Sequence, residues 1–479
     1  MKRFIFLVLV MLSVLGCKNL ENKDNAYAYL GGEIINPKND VVILYDPKGK
    51  ISDTISLDSE NRFLHKIDSF ETGVYSIRHG GEYQIVLLEP KDSILFRLNT
   101  YDFDESLVFT GEGARKNNYL LRIFLENELE SKKLMEYSQL EPEAFDQFIN
   151  ERRLKQLDRF REFTSKKDVS PYCTSIIEAN INYNNYADKE IYPFAYFGEN
   201  KLIHVKDLPE GFYDHRKEID YNAVDLSQFF SYNRFMFSHI DNLALTDFYQ
   251  KNDFHSKFNR HDLDYNKAKL DIIDSLITEP SIKNNLYKYK TRDFISHNHS
   301  EEETNQFLEY FLMKSSNTAD KDYMRDMVTS LNNLRPGKTL PVLEVLDVNT
   351  NKHDLNTLIS KPTLIYFWSS NHKMQYRNSH YRVNELKVEF PNVDFVSINL
   401  NDNDLDYWKS ILNQYKFPIE NEYIFKNPRI ARKVLAINYV NKVIVVDEDA
   451  VILHPNVNIY DTQFEDDLKQ LLQKKELPL

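Results

Sequence analysis

The run Pro362-Thr363-Leu364-Ile365-Tyr366-Phe367-Trp368 restricts the fold of this chain more than any other stretch. The apolar, β-branched and aromatic run at 363–368 is too short for a buried helix and suits a central strand covered on both faces. Ser369, Ser370 and Asn371 follow directly, all residue types that cap helices, and 372–390 holds neither proline nor glycine. The stretch therefore predicts a buried strand that turns sharply into a helix. Downstream, the pattern predicts a strand over 393–399, a helix over 402–415, a strand over 438–447 and a closing amphipathic helix over 464–474. Alternation of this kind predicts a mixed sheet with helices on both faces.

The strand-to-corner sequence, with Gly337 to Pro341 and Asp347 upstream and Lys361-Pro362 just ahead, resembles thioredoxin-fold proteins of the TlpA/ResA type over nearly all of 335–479. In that family the corner reads FWA-x-W-C-x-x-C, and a cis-proline faces the cysteines just before a later strand. The resemblance sets the two cysteine positions at His372 and Gln375 and the proline position at Asn441. It implies a kept architecture from which the dithiol chemistry has been removed. Such chemistry needs a thiolate at the helix N-terminus and a second thiol one turn on, and His372-Lys373-Met374-Gln375 supplies neither. The bond before Asn441 is expected to be trans, because a non-proline cis bond costs about 3–4 kcal/mol.

In active relatives the corner and the loop before the cis-proline form a shallow groove for substrate peptides. The resemblance sets Trp368 and Tyr439 near its two sides and makes His372, Met374, Gln375, Val440 and Asn441 the candidate binding positions, with Tyr376 or the helical region as alternative plugs. His372 as a general base lacks an acidic neighbour in sequence to orient it. His372 and His380 are about 12 Å apart along a helix, too far to share one ion.

Ahead of this region the chain changes character twice. Over 26–113, short apolar runs alternate with turn sequences such as Asn36-Pro37, Asp46-Pro47-Lys48-Gly49 and Gly80-Gly81, which predicts eight strands in a β-sandwich or small barrel. Leu30-Gly31-Gly32, Asp53 to Leu57, Gly73-Val74-Tyr75, Gly111 to Ala114 and Asn117 to Leu120 make this segment similar to a domain of unknown function found ahead of thioredoxin-like domains in envelope lipoproteins. Over 114–334 glycine almost vanishes and helical periodicity predicts an all-α region, with helices over 174–186 and 226–239 among its elements. Its aromatic stripe, Phe229-Phe230-Tyr232-Phe235-Phe237, reads as packing rather than as a cofactor box. Cys173, at a helix start, reads as an inert thiol. His297-Asn298-His299 before Glu301-Glu302-Glu303 is the most metal-like cluster, but it reads better as a polar loop with Ser300 capping an acidic helix start.

The first residues set the address. Met1-Lys2-Arg3, an apolar stretch over 4–15 and Val14-Leu15-Gly16-Cys17 resemble a bacterial lipoprotein signal peptide over 1–17, with Cys17 acylated and a polar tether over 18–25. Lys18 follows the cysteine, which favours the outer membrane over the inner one. A net charge of −13 argues against nucleic acid, whose phosphates require a basic surface. The expectation is thus an α+β multidomain envelope lipoprotein: a β-sandwich, an all-α middle region and a redox-inactive thioredoxin-like α/β domain. It binds a protein or peptide partner and needs neither metal nor cofactor. The alternative is a thiol–disulfide oxidoreductase that borrows an external cysteine, or an enzyme built on His372.

Overall fold

Turn residues cut the N-terminal region into strands short enough to stack as two layers. They are β1 (Ala28–Ile35), β2 (Val41–Tyr45), β3 (Ile51–Ser56), β4 (Arg62–Ile67), β5 (Gly73–His79), β6 (Glu82–Leu88), β7 (Ser93–Asn99) and β8 (Val108–Glu112). This computed structural model describes residues 27–68, 70–166, 169–196, 207–253, 256–297, 300–401 and 405–473. The eight strands form two four-stranded sheets, ordered β4-β1-β7-β8 and β3-β2-β5-β6. β1 runs parallel to β7; the other pairs are antiparallel. Strict alternation along β7 turns Ile94, Phe96 and Leu98 inward. They share one core with Leu30 and Ile34 of their own sheet and Leu44, Ile77 and Val86 of the other.

The helices follow: α1 (Ala114–Ser131), α2 (Leu134–Tyr137), α3 (Pro142–Ser165), α4 (Pro171–Ala195), α5 (Phe230–Lys251), α6 (Leu263–Leu276), α7 (Pro280–His297), α8 (Glu301–Lys314) and α9 (Thr318–Asn333). Asn117 and Asn118 at the start of α1 each clamp a strand. Asn117 accepts from Leu87 N at 2.7 Å and donates to Leu87 O at 2.9 Å, and Asn118 does the same for Phe109 at 3.0 and 2.8 Å. One helix start is thereby tied to both sheets. Gly113 precedes it at φ 86°, and a Cβ there would meet the Asp92 carboxylate at 2.3 Å, so only glycine fits. Asp92 is in turn paired with Lys116 at 2.6 Å.

Two helices depart from expectation. α4 runs on to Ala195, well past the predicted end at 186, because Asn185, Asp188, Lys189 and Glu190 are buried among partners instead of meeting water. α5 begins at Phe230, four residues late, because Val224–Leu226 forms a 3₁₀ turn. Phe229, Tyr232 and Phe235 of the aromatic stripe are buried, while Phe230 is exposed.

The chain divides into two compact units, Met1–Leu286 and Tyr287–Leu479, so the division falls within α7 and the composition shift at 334/335 lies inside the second unit. That unit holds β9 (Glu344–Leu346), β10 (Lys352–Asp354), β11 (Thr363–Trp368), α10 (Lys373–Glu389), β12 (Asp394–Asn399), α11 (Leu405–Tyr415), β13 (Glu422–Phe425), α12 (Pro428–Val434), β14 (Val443–Val446), β15 (Ile452–Val457) and α13 (Phe464–Gln473). Its sheet is ordered β10-β9-β13-β12-β11-β14-β15. β11 lies parallel to β12 and antiparallel to β14.

Every residue of β11 is buried. Leu364 and Tyr366 pack under α10 and α13 with Val383, Leu386, Phe464 and Leu468. Ile365 and Phe367 pack on the opposite face with Ala431 and Leu435. This two-sided cover is why the strand reads as an unbroken apolar run. The strand predicted over 438–447 is shorter: 438–442 forms turns and β14 starts at Val443.

Candidate functional site: the β11–α10 corner

The corner is fixed by β11 on one side and the end of β12 on the other. Leu400 N donates to Trp368 O at 2.8 Å, Ser370 N to Asn401 Oδ1 at 2.7 Å, and Asn399 Nδ2 to Ser370 Oγ at 2.8 Å. Ser369 and Ser370 are buried by these contacts. They do not cap α10 as their residue types suggested; the N-cap is His372, whose side chain makes no capping bond.

Gln375, which the sequence resemblance set at the second cysteine position, has a definite structural task. Its Nε2 donates to Phe367 O at 3.1 Å, and its Oε1 accepts from Ser369 N at 3.4 Å. One carboxamide thus staples the first turn of α10 to the last residues of β11. His372, at the first position, is exposed and hydrogen-bonds to no side chain among the described residues. Met374 is also exposed.

Trp368 is fully buried and so cannot form a groove wall. The pleat puts it on the same face as Leu364 and Tyr366, where it packs with Tyr376, Trp408, Ile411 and Phe417. Tyr376, the suspected plug, is buried against it at a ring-centroid distance of 5.6 Å. Beneath this cluster His380 stacks on Phe417 at 3.9 Å and meets Glu422 Oε1 through Nε2 at 3.0 Å.

The other candidates lie in the turn just ahead of β14. The pairing of β11 with β14 ends at Tyr366 opposite Val443, so Val440 and Asn441 stand beyond the paired strands. Asn441 is exposed, and Val440 is half-buried against the core. Tyr439 is exposed, and its hydroxyl donates to Asn456 Oδ1. No peptide bond among the described residues is cis.

Other sequence candidates lie elsewhere. Cys173 is fully buried at the start of α4, and burial pushes its thiol up to about 12, so it carries no thiolate for exchange. Ser300 caps α8 by accepting from Glu303 N at 3.2 Å. His297 is exposed at the end of α7. Asn298 and His299 lie outside the described residues, as do Cys17, the signal peptide and the tether. Among the described residues no three histidine, cysteine or acidic side chains converge as metal ligands.

A buried polar hub in the first unit has no signature in the sequence. Glu190 Oε1 accepts from His215 Nε2 and His239 Nδ1, each at 3.0 Å, and its Oε2 from Asn242 at 2.9 Å. Arg216 binds both oxygens, at 2.8 and 2.5 Å. Burial opposes charge on Glu190, but the bonds from His215, His239 and Arg216 outweigh it and hold the carboxyl well below the usual range. All four partners lie far along the chain, so no local motif marks them.

No family model matches the chain, and no curated protein matches it. It is similar in structure to a thiol-disulfide oxidoreductase from Bacteroides fragilis, at 18% identity over 28% of this chain and 99% of that one, with a TM-score of 0.25. It is similar also to the thioredoxin domain of a thiol-disulfide oxidoreductase from Bacteroides vulgatus, at 19% identity, 30% and 98% coverage, and a TM-score of 0.23. A thiol:disulfide interchange protein from a Bacteroides species is similar at 18% identity, 30% and 90% coverage, and a TM-score of 0.24. Likeness at this level attaches no activity to the chain.

Proposed function

We propose that this chain is a lipid-anchored bacterial envelope protein whose second unit uses a redox-inactive thioredoxin-like corner to bind a protein or peptide. The reading rests on one observation above all: the second dithiol position carries Gln375, whose amide bonds hold the corner's shape without a thiol. A corner kept rigid after losing its chemistry still presents exposed His372, Met374 and Asn441 on a fixed frame. The lipid anchor is Cys17, and the outer membrane is the favoured location. The oxidoreductase alternative needs a group that activates or orients His372, and no side chain among the described residues hydrogen-bonds to it.

Photoreactive residues at 372 and 441, with a control at exposed Tyr83 on the sandwich, test the reading in intact cells. Adducts of one discrete size from 372 and 441, absent from 83, are the expected result. Adducts from 83 alone would make the corner vestigial and move binding to the N-terminal unit.

A further inference from the structure

The first unit holds a recess of its own. β6, the loop between β7 and β8, α1, α4 and the start of α5 surround a cleft of about 370 Å³, a size that suits a small organic ligand. Leu120, Phe124, Phe229 and Phe230 give it an apolar wall. Phe230, 60% exposed, is the open end of that wall.

The charged lining is unbalanced. Glu82, Asp104 and Glu128 face one cation, Arg234. Arg234 turns its guanidinium onto Asp188 and reaches Asn184 Oδ1 at 3.4 Å. Glu128 meets Lys132 at 3.3 Å in an exposed pair. Glu82 and Asp104 have no ion-pair partner among the described residues, and the Asp104 carboxylate accepts a single bond, from Gln84 Nε2 at 3.0 Å. Burial, with the charges of Glu105, Glu82 and Glu128, outweighs that bond and raises the Asp104 carboxyl above its usual range. The cleft thus carries a negative surplus in a partly enclosed site, where charges interact at reduced dielectric.

Asn180 points to a ligand independently. It is only 7% exposed and its Oδ1 accepts from Ser231 Oγ, but its Nδ2 bonds nothing among the described residues. An idle donor on a buried side chain is costly. This one opens onto the cleft, where a carbonyl oxygen of a ligand would satisfy it. No three acidic, histidine or cysteine side chains among the described residues converge as metal ligands, so the surplus suits an organic cation better than a metal ion.

We infer that this cleft binds a small organic cation, an amine on an apolar body that also carries a carbonyl group. Asp104 and Glu82 face the ammonium, Phe124 and Phe230 cover the apolar body, and Asn180 donates to the carbonyl. The site goes beyond the corner and does not depend on the binding proposed there.

Calorimetric titration of the purified full-length chain with L-phenylalaninamide tests the inference, with 3-phenylpropionamide, the same molecule without its amine, as the comparison. L-Phenylalaninamide should bind one to one, and removal of the amine should weaken binding at least about tenfold, the scale of one charge-assisted hydrogen bond. Asp104→Asn keeps an acceptor for Gln84 and should abolish the difference between the two probes. Phe230→Ala, an exposed change, should weaken both probes alike. A far-UV circular dichroism spectrum identical to that of the native chain verifies that each variant is folded. Absence of L-phenylalaninamide binding, equal affinity for both probes, or a tenfold preference that persists in Asp104→Asn overturns the inference.

Discussion

Replacing Gln375 with methionine keeps the volume of the side chain and deletes both of its hydrogen bonds. The bond to Phe367 O, at 3.1 Å, is a good one; the bond from Ser369 N, at 3.4 Å, is at the long limit. A net hydrogen bond contributes about 1 kcal/mol, and an orphaned buried group adds to the loss. Ser369 is buried while Gln375 is half-buried, so water can reach only part of what is vacated. The expected cost is about 1.5 kcal/mol.

The chain offers a selective reporter of this loss. Its two tryptophans, Trp368 and Trp408, lie in one buried cluster with Tyr376. Tryptophan emission during urea denaturation therefore follows the corner itself. The midpoint should fall at unchanged slope. Gln375→Glu should cost more, because a carboxylate would face the Phe367 carbonyl in place of a donor. A loss below about 0.3 kcal/mol for Gln375→Met, against the cost expected of two hydrogen bonds, would refute the staple.

The remaining predictions concern the first unit and the anchor. Asn117→Ala orphans both backbone groups of Leu87, a cost of about 3 kcal/mol, and should speed hydrogen exchange across β6 on the order of a hundredfold where exchange follows local opening. Because Glu190 is held well below the usual carboxyl range, its contribution to stability is full above about pH 4.3, the unfolded value, and is lost as pH falls through the folded one. Glu190→Gln should therefore lower stability at neutral pH and flatten the acid limb in pH-dependent calorimetry; an unchanged acid limb would contradict the hub. Cys17→Ser should release the protein from membranes and abolish labelling by a fatty-acid analogue, and native protein that takes up no acyl label would remove the anchor.

Legibility in the sequence followed the range of the interactions. β11 could be read because both of its faces are buried, so the apolar run is uninterrupted. The eight N-terminal strands could be read because turn residues separate them. Short elements such as β13 and α12 carry too few residues for periodicity to show. Residues 438–442 were read as strand because they run into Val443–Val446 without a break in composition. In the fold they form turns, and Lys442 bends back to cap α12.

Trp368 shows how a position assigned by resemblance can mislead about exposure: the strand turns into a helix as expected, yet the indole is core. Glu190 illustrates the opposite limit. Its partners His215 and His239 stand 25 and 49 residues away, and only the packing of α4 against α5 and against the 3₁₀ turn Asp214–Glu218 brings them together. α4 outran its predicted end for the same reason, since buried polar residues look like surface until their partners are known.

The central claim is that the corner retains a dithiol framework without dithiol chemistry, and the rate of insulin reduction in the presence of dithiothreitol tests it most directly. The native chain should run at background, with or without Cys173→Ser. The double substitution His372→Cys, Gln375→Cys should form an internal disulfide and raise the rate, because it restores two thiols one turn apart at the start of α10. Native activity above background that survives Cys173→Ser and vanishes in His372→Ala would contradict the account and establish catalysis at this corner.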